Sequence, residues 1–216
     1  MKDNNRVAVP VIKRLPRYHR YLKELKNEGV VRISSKELSS RMGVTASQIR
    51  QDLNCFGGFG QQGYGYNIDQ LYTEIGNILG LNKRLKAIMI GAGNLGHAIA
   101  THLHFENRGF DLIGIFDNNE AVIGTQVGGK TVMSSDSLEE FCKAETPVVA
   151  ILCIPSEYAA ENADKLVALG IKGFWNFTQY DLVHRYENVA VENVHLGDSL
   201  MTLRYQINEI ADSCED

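Results

Sequence analysis

The sequence lacks the features of a membrane or secreted protein. No run of about 18 apolar residues occurs in the chain, so no membrane-spanning helix and no membrane partner are expected. The first six residues are polar and form no apolar signal core, so a cytoplasmic location is predicted. The 4 cysteines are scattered without a Cys-x-x-Cys pair, which fits a reducing compartment and predicts no metal site. With only 4 prolines and 44% hydrophobic residues, the chain is expected to be globular.

Charge is unevenly distributed along the chain. Residues 1–60 hold 12 Lys and Arg residues against 5 Asp and Glu residues, whereas the remaining residues hold 10 against 21. A basic N-terminal part in front of an acidic remainder indicates an anionic partner for the basic part. The alternative is a surface composition that serves only solubility.

Three helices are predicted in the basic part. Apolar residues at steps of three and four predict a first helix over Val11–Glu28. Ser35 is expected to cap a short second helix, Lys36–Arg41, and Thr45 to cap a third that runs to about Phe56. Two helices joined by a tight turn with glycine are typical of the helix-turn-helix motif.

Glycines and aromatic residues alternate in the segment that follows, Gly57–Tyr66. A flexible linker is one interpretation, but a linker needs no aromatic residues, so a short β-hairpin is preferred. Such a hairpin would be the wing of a winged helix. Asn67 is expected to cap a fourth helix, and Gly80–Lys83 to join this domain, residues 1–82, to the rest.

Several side chains of this domain have the chemistry of DNA contacts. Arg and Gln can read base edges through paired hydrogen bonds, Ser and Thr suit phosphate contacts, and arginines on the first helix suit the DNA backbone. The alternative is a solvated surface around a protein–protein domain. The predicted contacts are Arg14, Arg17, Arg20, Thr45, Ser47, Gln48, Arg50 and Gln51.

Strands and helices alternate from Leu85 onward. Continuous apolar strands that alternate with helices predict an α/β domain with a buried parallel sheet. The expected strands are Ala87–Ile90, Leu112–Phe116, Val148–Cys153, Ile171–Trp175 and Val189–Val191. The expected helices lie near Leu95–Phe105, Leu138–Cys142, Tyr158–Leu169 and Leu200–Ile210.

A Gly-x-Gly-x-x-Gly motif follows the first of these strands. Its residues are Gly91, Ala92, Gly93, Asn94, Leu95 and Gly96. Between a strand and a helix, this motif predicts a dinucleotide site in which the helix N-terminus faces the pyrophosphate. Asp117 closes the next strand and is followed by Asn118, which favours NAD(H) over NADP(H) because a carboxylate repels a 2′-phosphate. Glycines that serve packing alone are the alternative.

Other residues are expected at the ligand edge of the sheet. Cys153, Ile154 and Pro155 end one strand, and Asn176 and Phe177 end the next. A buried thiol is preferred over a nucleophile for Cys153.

No acid–base pair stands out, so an enzyme is not expected. The alternatives are an NAD-dependent oxidoreductase with a basic appendage, or a DNA-binding protein that senses NADP(H) or an acyl-CoA.

These motifs together resemble the Rex family of redox-sensing transcriptional repressors over essentially the full length. The segments that carry the resemblance are Arg14–Arg20, Val44–Leu53, Gly63–Tyr66, Gly91–Gly96, Gly170–Gly173, Asn176–Phe177 and Val191–Val194.

The resemblance implies a winged helix-turn-helix domain, a Rossmann domain over residues 83–196, and a C-terminal helix over 197–216. In this family the last helix is exchanged between the subunits of a homodimer. The implied function is a repressor, not an enzyme, that binds palindromic operator DNA and is released when its regulatory ligand NAD(H) is in the reduced form. The apolar stripe of the last helix agrees with this: Leu200, Leu203, Ile207, Ile210 and Cys214.

The resemblance also implies DNA contacts in the wing and a polar switch. Gln61 and Gln62 stand where relatives often carry a basic residue, so the wing contacts should be less electrostatic. Arg20 matches a switch residue of the family. His102 and His195 replace a Tyr and an Asp at the other switch positions, and Asp198 lies close by in sequence.

Overall fold

The computed structural model describes residues 7–57, 59–61 and 64–212. The chain divides into two compact units, with the boundary between Asn82 and Lys83. This boundary coincides with the expected end of the N-terminal domain. Among the described residues, no helix combines the length and apolar character needed to cross a bilayer.

The first unit has the order of elements of a winged helix. Its helices are α1 (Val9–Asn27), α2 (Ser35–Met42), α3 (Ala46–Asn54) and α4 (Ile68–Ile78). Its strands are β1 (Arg32–Ile33), β2 (Gly60–Gln61) and β3 (Gly65–Asn67). The strands pair antiparallel in the order β1-β3-β2, so the glycine-aromatic segment does form a hairpin. Gln62 lies outside the described residues, and only the backbone of Gln61 is described.

Side-chain caps fix where the helices of this unit begin. Thr45 caps α3 by accepting a hydrogen bond from the Gln48 backbone N–H at 3.1 Å, as expected. The prediction that Ser35 caps α2 is wrong by one residue. Ser34 accepts from the Glu37 N–H at 3.1 Å, and the Glu37 carboxylate accepts from the Ser34 N–H at 2.8 Å. This capping box requires Glu three residues after the cap, which only Ser34 has.

The second unit alternates strands and helices. Its strands are β4 (Leu85–Ile90), β5 (Phe110–Asp117), β6 (Gln126–Val127), β7 (Lys130–Ser134), β8 (Val149–Leu152), β9 (Gly173–Asn176) and β10 (Ala190–Asn193). Its helices are α5 (Asn94–His102), α6 (Leu138–Glu145), α7 (Ala159–Ala168) and α8 (Leu196–Asp212). A single 3-10 turn, Phe105–Arg108, follows α5, so the expected helix there ends earlier than predicted.

One sheet runs in the order β10-β9-β8-β4-β5-β7-β6. All neighbours in it are parallel except the β6–β7 hairpin, which the sequence reading missed. Without β6, the order is that of a Rossmann fold, with β4 central and the direction of winding reversed between β4 and β8. Side chains alternate along β4: Ile88 and Ile90 pack with α6 and α7, and Ala87 and Met89 pack on the face that carries α5.

Helix α8 is exposed along its described length. Leu200 is 67% exposed, Leu203 49% and Ile207 52%, and Ile210 is exposed as well. Cys214, the last residue of the expected stripe, lies outside the described residues. Burial of an apolar face normally stabilises a helix in a globular protein. The stripe of α8 is not buried in the second unit.

The β6–β7 turn offers a matched pair of substitutions. Gly128 and Gly129 both have positive φ, 56° and 77°. A Cβ on Gly128 would lie 2.4 Å from the Ala100 carbonyl oxygen, whereas one on Gly129 would meet nothing within 4 Å. We expect Gly129→Ala to cost about 1–2 kcal/mol through backbone strain alone. Gly128→Ala should cost more, measured by urea denaturation with Trp175 fluorescence. Equal losses would contradict this description of the turn.

Candidate functional site

The Gly91–Gly96 loop brings three elements into close contact. Gly91 follows β4 with a φ of 98°, and a Cβ there would lie 2.4 Å from the carbonyl oxygen of Cys153, after β8. A Cβ on Gly96 would lie 2.0 Å from the Gly91 carbonyl oxygen. Both positions therefore need glycine if α5 is to begin against the strand ends. A Cβ on Gly93 would meet nothing within 4 Å, so space for a ligand lies in front of it.

The N-terminus of α5 faces this space. Gly93 is the N-cap residue and provides no side-chain cap, while Asn94 and Leu95 are exposed in the first turn. Backbone N–H groups and the positive end of the helix dipole make such a terminus a binding site for anions. The geometry fits the pyrophosphate of a dinucleotide.

Asp117 lies at the rim of the same loop. Its Oδ2 accepts a hydrogen bond from the Ala92 N–H at 2.6 Å, and its Oδ1 accepts from the Asn119 N–H at 2.8 Å. These bonds fix the carboxylate at the end of β5, beside the glycine loop. Each oxygen keeps a lone pair for a ribose hydroxyl, and the negative charge opposes a 2′-phosphate. Asn118 is exposed next to it.

The ends of β8 and β9 form the other side of the winding reversal. The Cys153 N–H donates to the Ile90 carbonyl at 2.8 Å, and Ile154 and Pro155 follow it. Burial raises the pKa of the Cys153 thiol to about 12, so this group is a protonated packing residue at neutral pH. Phe177 is half-buried and lies edge-on to Trp175, with ring centroids 4.4 Å apart.

Asn176 does not present its side chain to a ligand, contrary to the expectation from sequence. It is fully buried, and its amide donates to the Tyr180 carbonyl at 2.7 Å and to Asn193 Oδ1 at 2.8 Å. Its own oxygen accepts from the Thr178 N–H and hydroxyl at 3.1 and 2.7 Å. Asn176 therefore holds the loop after β9 to the end of β10. Asn193 lies in Val191–Val194, a segment that carries the family resemblance, but its bond to Asn176, 17 residues away, was not predicted.

Two of the expected switch residues, His195 and Asp198, lie together. Nδ1 of His195 lies 3.6 Å from Asp198 Oδ2, where α8 begins. Nε2 of His195 is buried and has no hydrogen-bond partner among the described residues. His102 is exposed at the end of α5. Arg20 lies on α1 in the first unit, where its guanidinium carbon lies 5.7 Å from the centroid of the Tyr21 ring.

One face of α3 carries the exposed polar residues expected to contact DNA. Ser47, Arg50 and Gln51 are exposed at spacings of three and four residues, and Asn54 continues this face. Asn54 was not among the residues expected to contact DNA, although its spacing from Arg50 and Gln51 places it on the same face. Nη1 of Arg50 donates to the Ser35 hydroxyl at 3.0 Å, which connects α3 to the start of α2.

Arg14, one of the predicted DNA contacts, has a partner inside the domain. Its Nε and Nη2 donate to the two oxygens of Asp52 at 2.6 and 2.7 Å, and Asp52 is fully buried. Arg14 therefore neutralises a buried carboxylate, a role that the sequence did not indicate, while its side chain stays 27% exposed. Arg17 and Arg20 remain exposed on α1, although Arg17 also donates to the Met42 carbonyl.

No group of three or more His, Cys, Asp or Glu side chains is placed to hold a metal ion within the ranges described above.

Comparison with known proteins agrees with this geometry. Residues 6–54 match the family described as "Putative DNA-binding protein N-terminus", and residues 82–180 match "CoA binding domain". A protein of Thermoanaerobacter pseudethanolicus, named "Redox-sensing transcriptional repressor Rex", is 54% identical over 97% of this chain and 93% of its own. The protein of that name from Clostridium botulinum is 50% identical over 97% and 99%. This chain belongs to the Rex family.

Solved structures of a Rex-family repressor, RSP, share the fold. RSP in complex with β-NAD+ and operator DNA matches with a TM-score of 0.88 and 53% identity, over 97% of this chain and 96% of that one. RSP in complex with β-NADH matches with a TM-score of 0.89 and 50% identity, over 97% and 98%. The Rex fold expected from the sequence, a DNA-binding domain followed by a Rossmann domain, is confirmed. The Rex relatives are transcriptional repressors, not enzymes.

Alkylation of Cys55 and Cys153 tests the burial of the Cys153 thiol at the end of β8. Cys55 is exposed at the end of α3, whereas Cys153 is half-buried and burial raises the pKa of its thiol to about 12. Alkylation requires the thiolate, so at pH 8 iodoacetamide should label Cys55 at least about tenfold faster than Cys153. Labelling of Cys153 should rise with pH as its thiol ionises. Peptide mass mapping separates the sites, and Cys55→Ser is the control. Equal labelling at pH 8 would contradict the burial of Cys153.

Proposed function

We propose that this Rex protein binds operator DNA when it is free or loaded with NAD+, and leaves the DNA when NADH binds. The observation that carries the proposal is the presence in one chain of both sites. The Gly91–Gly96 cradle with Asp117 fits NAD(H), and the exposed face of α3 fits a DNA major groove. The solved complexes of RSP with β-NAD+ and operator DNA, and with β-NADH, support this assignment.

The ligand has to distinguish two states of the repressor. A ligand shifts an equilibrium only by its difference in affinity for the two states. A 100-fold loss of operator affinity needs about 2.7 kcal/mol of such a difference. NADH and NAD+ differ only in the nicotinamide ring, which is uncharged when reduced. We propose that only the reduced ring enters a pocket next to the subunit interface.

We propose a homodimer formed by exchange of α8. The apolar stripe of α8 is exposed, and an apolar groove of about 660 Å³ lies on the sheet face that carries α5. Its lining includes Ala87, Phe105, Val149, Ile151, Trp175 and Val191. The apolar stripe of α8 from a second copy of the chain would fill this apolar groove. A two-fold dimer reads two equivalent half-sites, so the operator should be palindromic.

The switch is expected where α8 begins. His195 and Asp198 lie there, and the buried Nε2 of His195 needs a partner that the described residues of one chain do not supply. A second subunit or the nucleotide would supply it. Arg20 and His102 complete the proposed switch, which reports the state of the ring to the DNA-binding domain.

We also propose a cytoplasmic location. A repressor has to reach chromosomal DNA, which in the bacterial relatives lies in the cytoplasm. The cysteines for which the structure gives a state, Cys55, Cys142 and Cys153, are free thiols, which fits a reducing compartment.

Titration of operator binding tests the redox function. NADH should lower operator affinity at least 100-fold, and NAD+, NADPH and acetyl-CoA should act weakly. Gly93→Ala should keep the melting temperature and the operator affinity of the free protein, because its Cβ has open space. It should require at least about tenfold more NADH for release, because the methyl group occupies the place of the pyrophosphate. Equal effects of NADH and NAD+ would exclude the redox function.

Charge substitutions on α8 test the dimer. Leu200→Glu combined with Leu203→Glu places two charges on the apolar stripe and should convert a dimer to a monomer in sedimentation. Operator affinity should fall at least about 100-fold, because only one half-site is then read. The control, Thr202→Glu with Gln206→Glu, adds the same charge to another face of α8 and should stay dimeric. A dimer that survives the first pair would contradict helix exchange.

A further inference from the structure

Asp52 is a fully buried carboxylate in the helix that reads DNA. Its side chain accepts four hydrogen bonds. Two come from the Arg14 guanidinium, at 2.6 and 2.7 Å, one from the Tyr18 hydroxyl at 2.8 Å, and one from Gln48 Nε2 at 2.8 Å. Arg14 and Tyr18 belong to α1, and Gln48 is one turn before Asp52 on α3. Asp52 therefore connects α1 to a side chain at the edge of the reading face.

The ionised state of Asp52 decides how its neighbours are oriented. Burial raises the pKa of Asp52, but the hydrogen bonds from Arg14, Gln48 and Tyr18 outweigh burial and hold the pKa below its ordinary value. A carboxylate accepts hydrogen bonds and donates none. Gln48 therefore has to turn its NH2 group toward Asp52, and its carbonyl oxygen Oε1 lies on the other side of the amide.

Gln48 is not needed to satisfy Asp52. Arg14 already reaches both carboxylate oxygens, and Tyr18 adds a third bond. Gln48 is half-buried, between the core and the exposed residues Ser47 and Gln51. The bond between Gln48 and Asp52 therefore fixes the orientation of Gln48, while Arg14 and Tyr18 hold the carboxylate in place from α1.

The fixed amide has a definite recognition chemistry. One N–H of Gln48 is bound to Asp52, which leaves Oε1 as an acceptor and the second N–H as a donor. Adenine presents the matching pair in the major groove, an N6 donor and an N7 acceptor. Without Asp52 the Gln48 amide could rotate by half a turn, which exchanges the positions of its oxygen and its NH2 group. In the rotated molecules the amide would no longer match adenine.

We propose that Asp52 is a positioning residue for sequence recognition, which orients the Gln48 amide so that the repressor prefers adenine at one position of each operator half-site. The proposal rests on the proposed operator binding. Arg14 and Tyr18 hold the carboxylate in place, and Gln48 makes the contact with the base. Specificity at this position is therefore set from the interior of the domain.

A double-mutant cycle on the full-length repressor tests this role. The probe is the palindromic duplex that the wild-type protein selects from a random pool in the absence of NADH, together with all its single-base-pair variants. Gln48→Ala should remove a preference for adenine of about tenfold at one position per half-site. Asp52→Asn should weaken the same preference at the same position. The double variant should lose no more of it than Gln48→Ala does.

Two further variants separate positioning from folding. Tyr18→Phe removes a hydrogen bond from Asp52 without touching Gln48, so it should keep the adenine preference even if it lowers the melting temperature. Gln48→Glu carries no N–H for Asp52 and should present carboxylate oxygens to the groove, which changes the preferred base from adenine to cytosine.

Three outcomes would overturn the proposal. Gln48→Ala could leave every base preference intact. This result would show that Gln48 does not read adenine, even if Asp52→Asn does not fold. Asp52→Asn could weaken binding to all duplexes equally while the adenine preference persists. The fold-loss of adenine preference in the double variant could equal the product of the fold-losses in the two single variants. If the wild-type protein selects no duplex at all, operator binding itself fails, which is a separate result.

Discussion

The close contact between Gly96 and the carbonyl group of Gly91 is the constraint on which the Rossmann unit depends. A Cβ at Gly96 would lie 2.0 Å from that oxygen, so α5 can begin against the end of β4 only with glycine there. The contact places the N-terminus of α5 beside the point where the winding of the sheet reverses. In the same loop the Ala92 N–H donates a hydrogen bond to Asp117 at 2.6 Å, which fixes the carboxylate at the rim. The open N-terminus of α5 and the Asp117 carboxylate thus lie side by side at this end of the sheet.

Much of this arrangement could be predicted from sequence because its signals are local. The glycine motif, the apolar run before it and Asp117 after the next strand are close in the chain, and each has a fixed geometric meaning. The helix-turn-helix was predictable for the same reason, since Thr45 caps α3 through a residue three positions away. The start of a helix is harder to predict where two adjacent residues can both act as the N-cap. Ser34 and Ser35 are both good caps, and Glu37 selects Ser34.

The interactions that sequence reading missed connect distant residues. Arg14 and Asp52 are 38 positions apart, so nothing near Arg14 shows that its charge is neutralised in the core. Asn176 and Asn193 are 17 apart, and each alone has the chemistry of a ligand-binding amide. A polar side chain next to a binding site can serve either the ligand or the backbone around it. Only the folded structure shows which groups its hydrogen bonds reach.

These hidden connections have the same physical form in both units. In the first, a buried carboxylate with its charge neutralised by Arg14 also binds Gln48, at the edge of the reading face. In the second, the buried Asn176 amide ties the loop after β9 to the end of β10, directly before His195 and α8. Buried polar groups are costly unless every donor and acceptor is satisfied, so such networks allow few alternative geometries. Each network therefore limits the geometries available beside one of the two proposed sites, the exposed face of α3 and the start of α8.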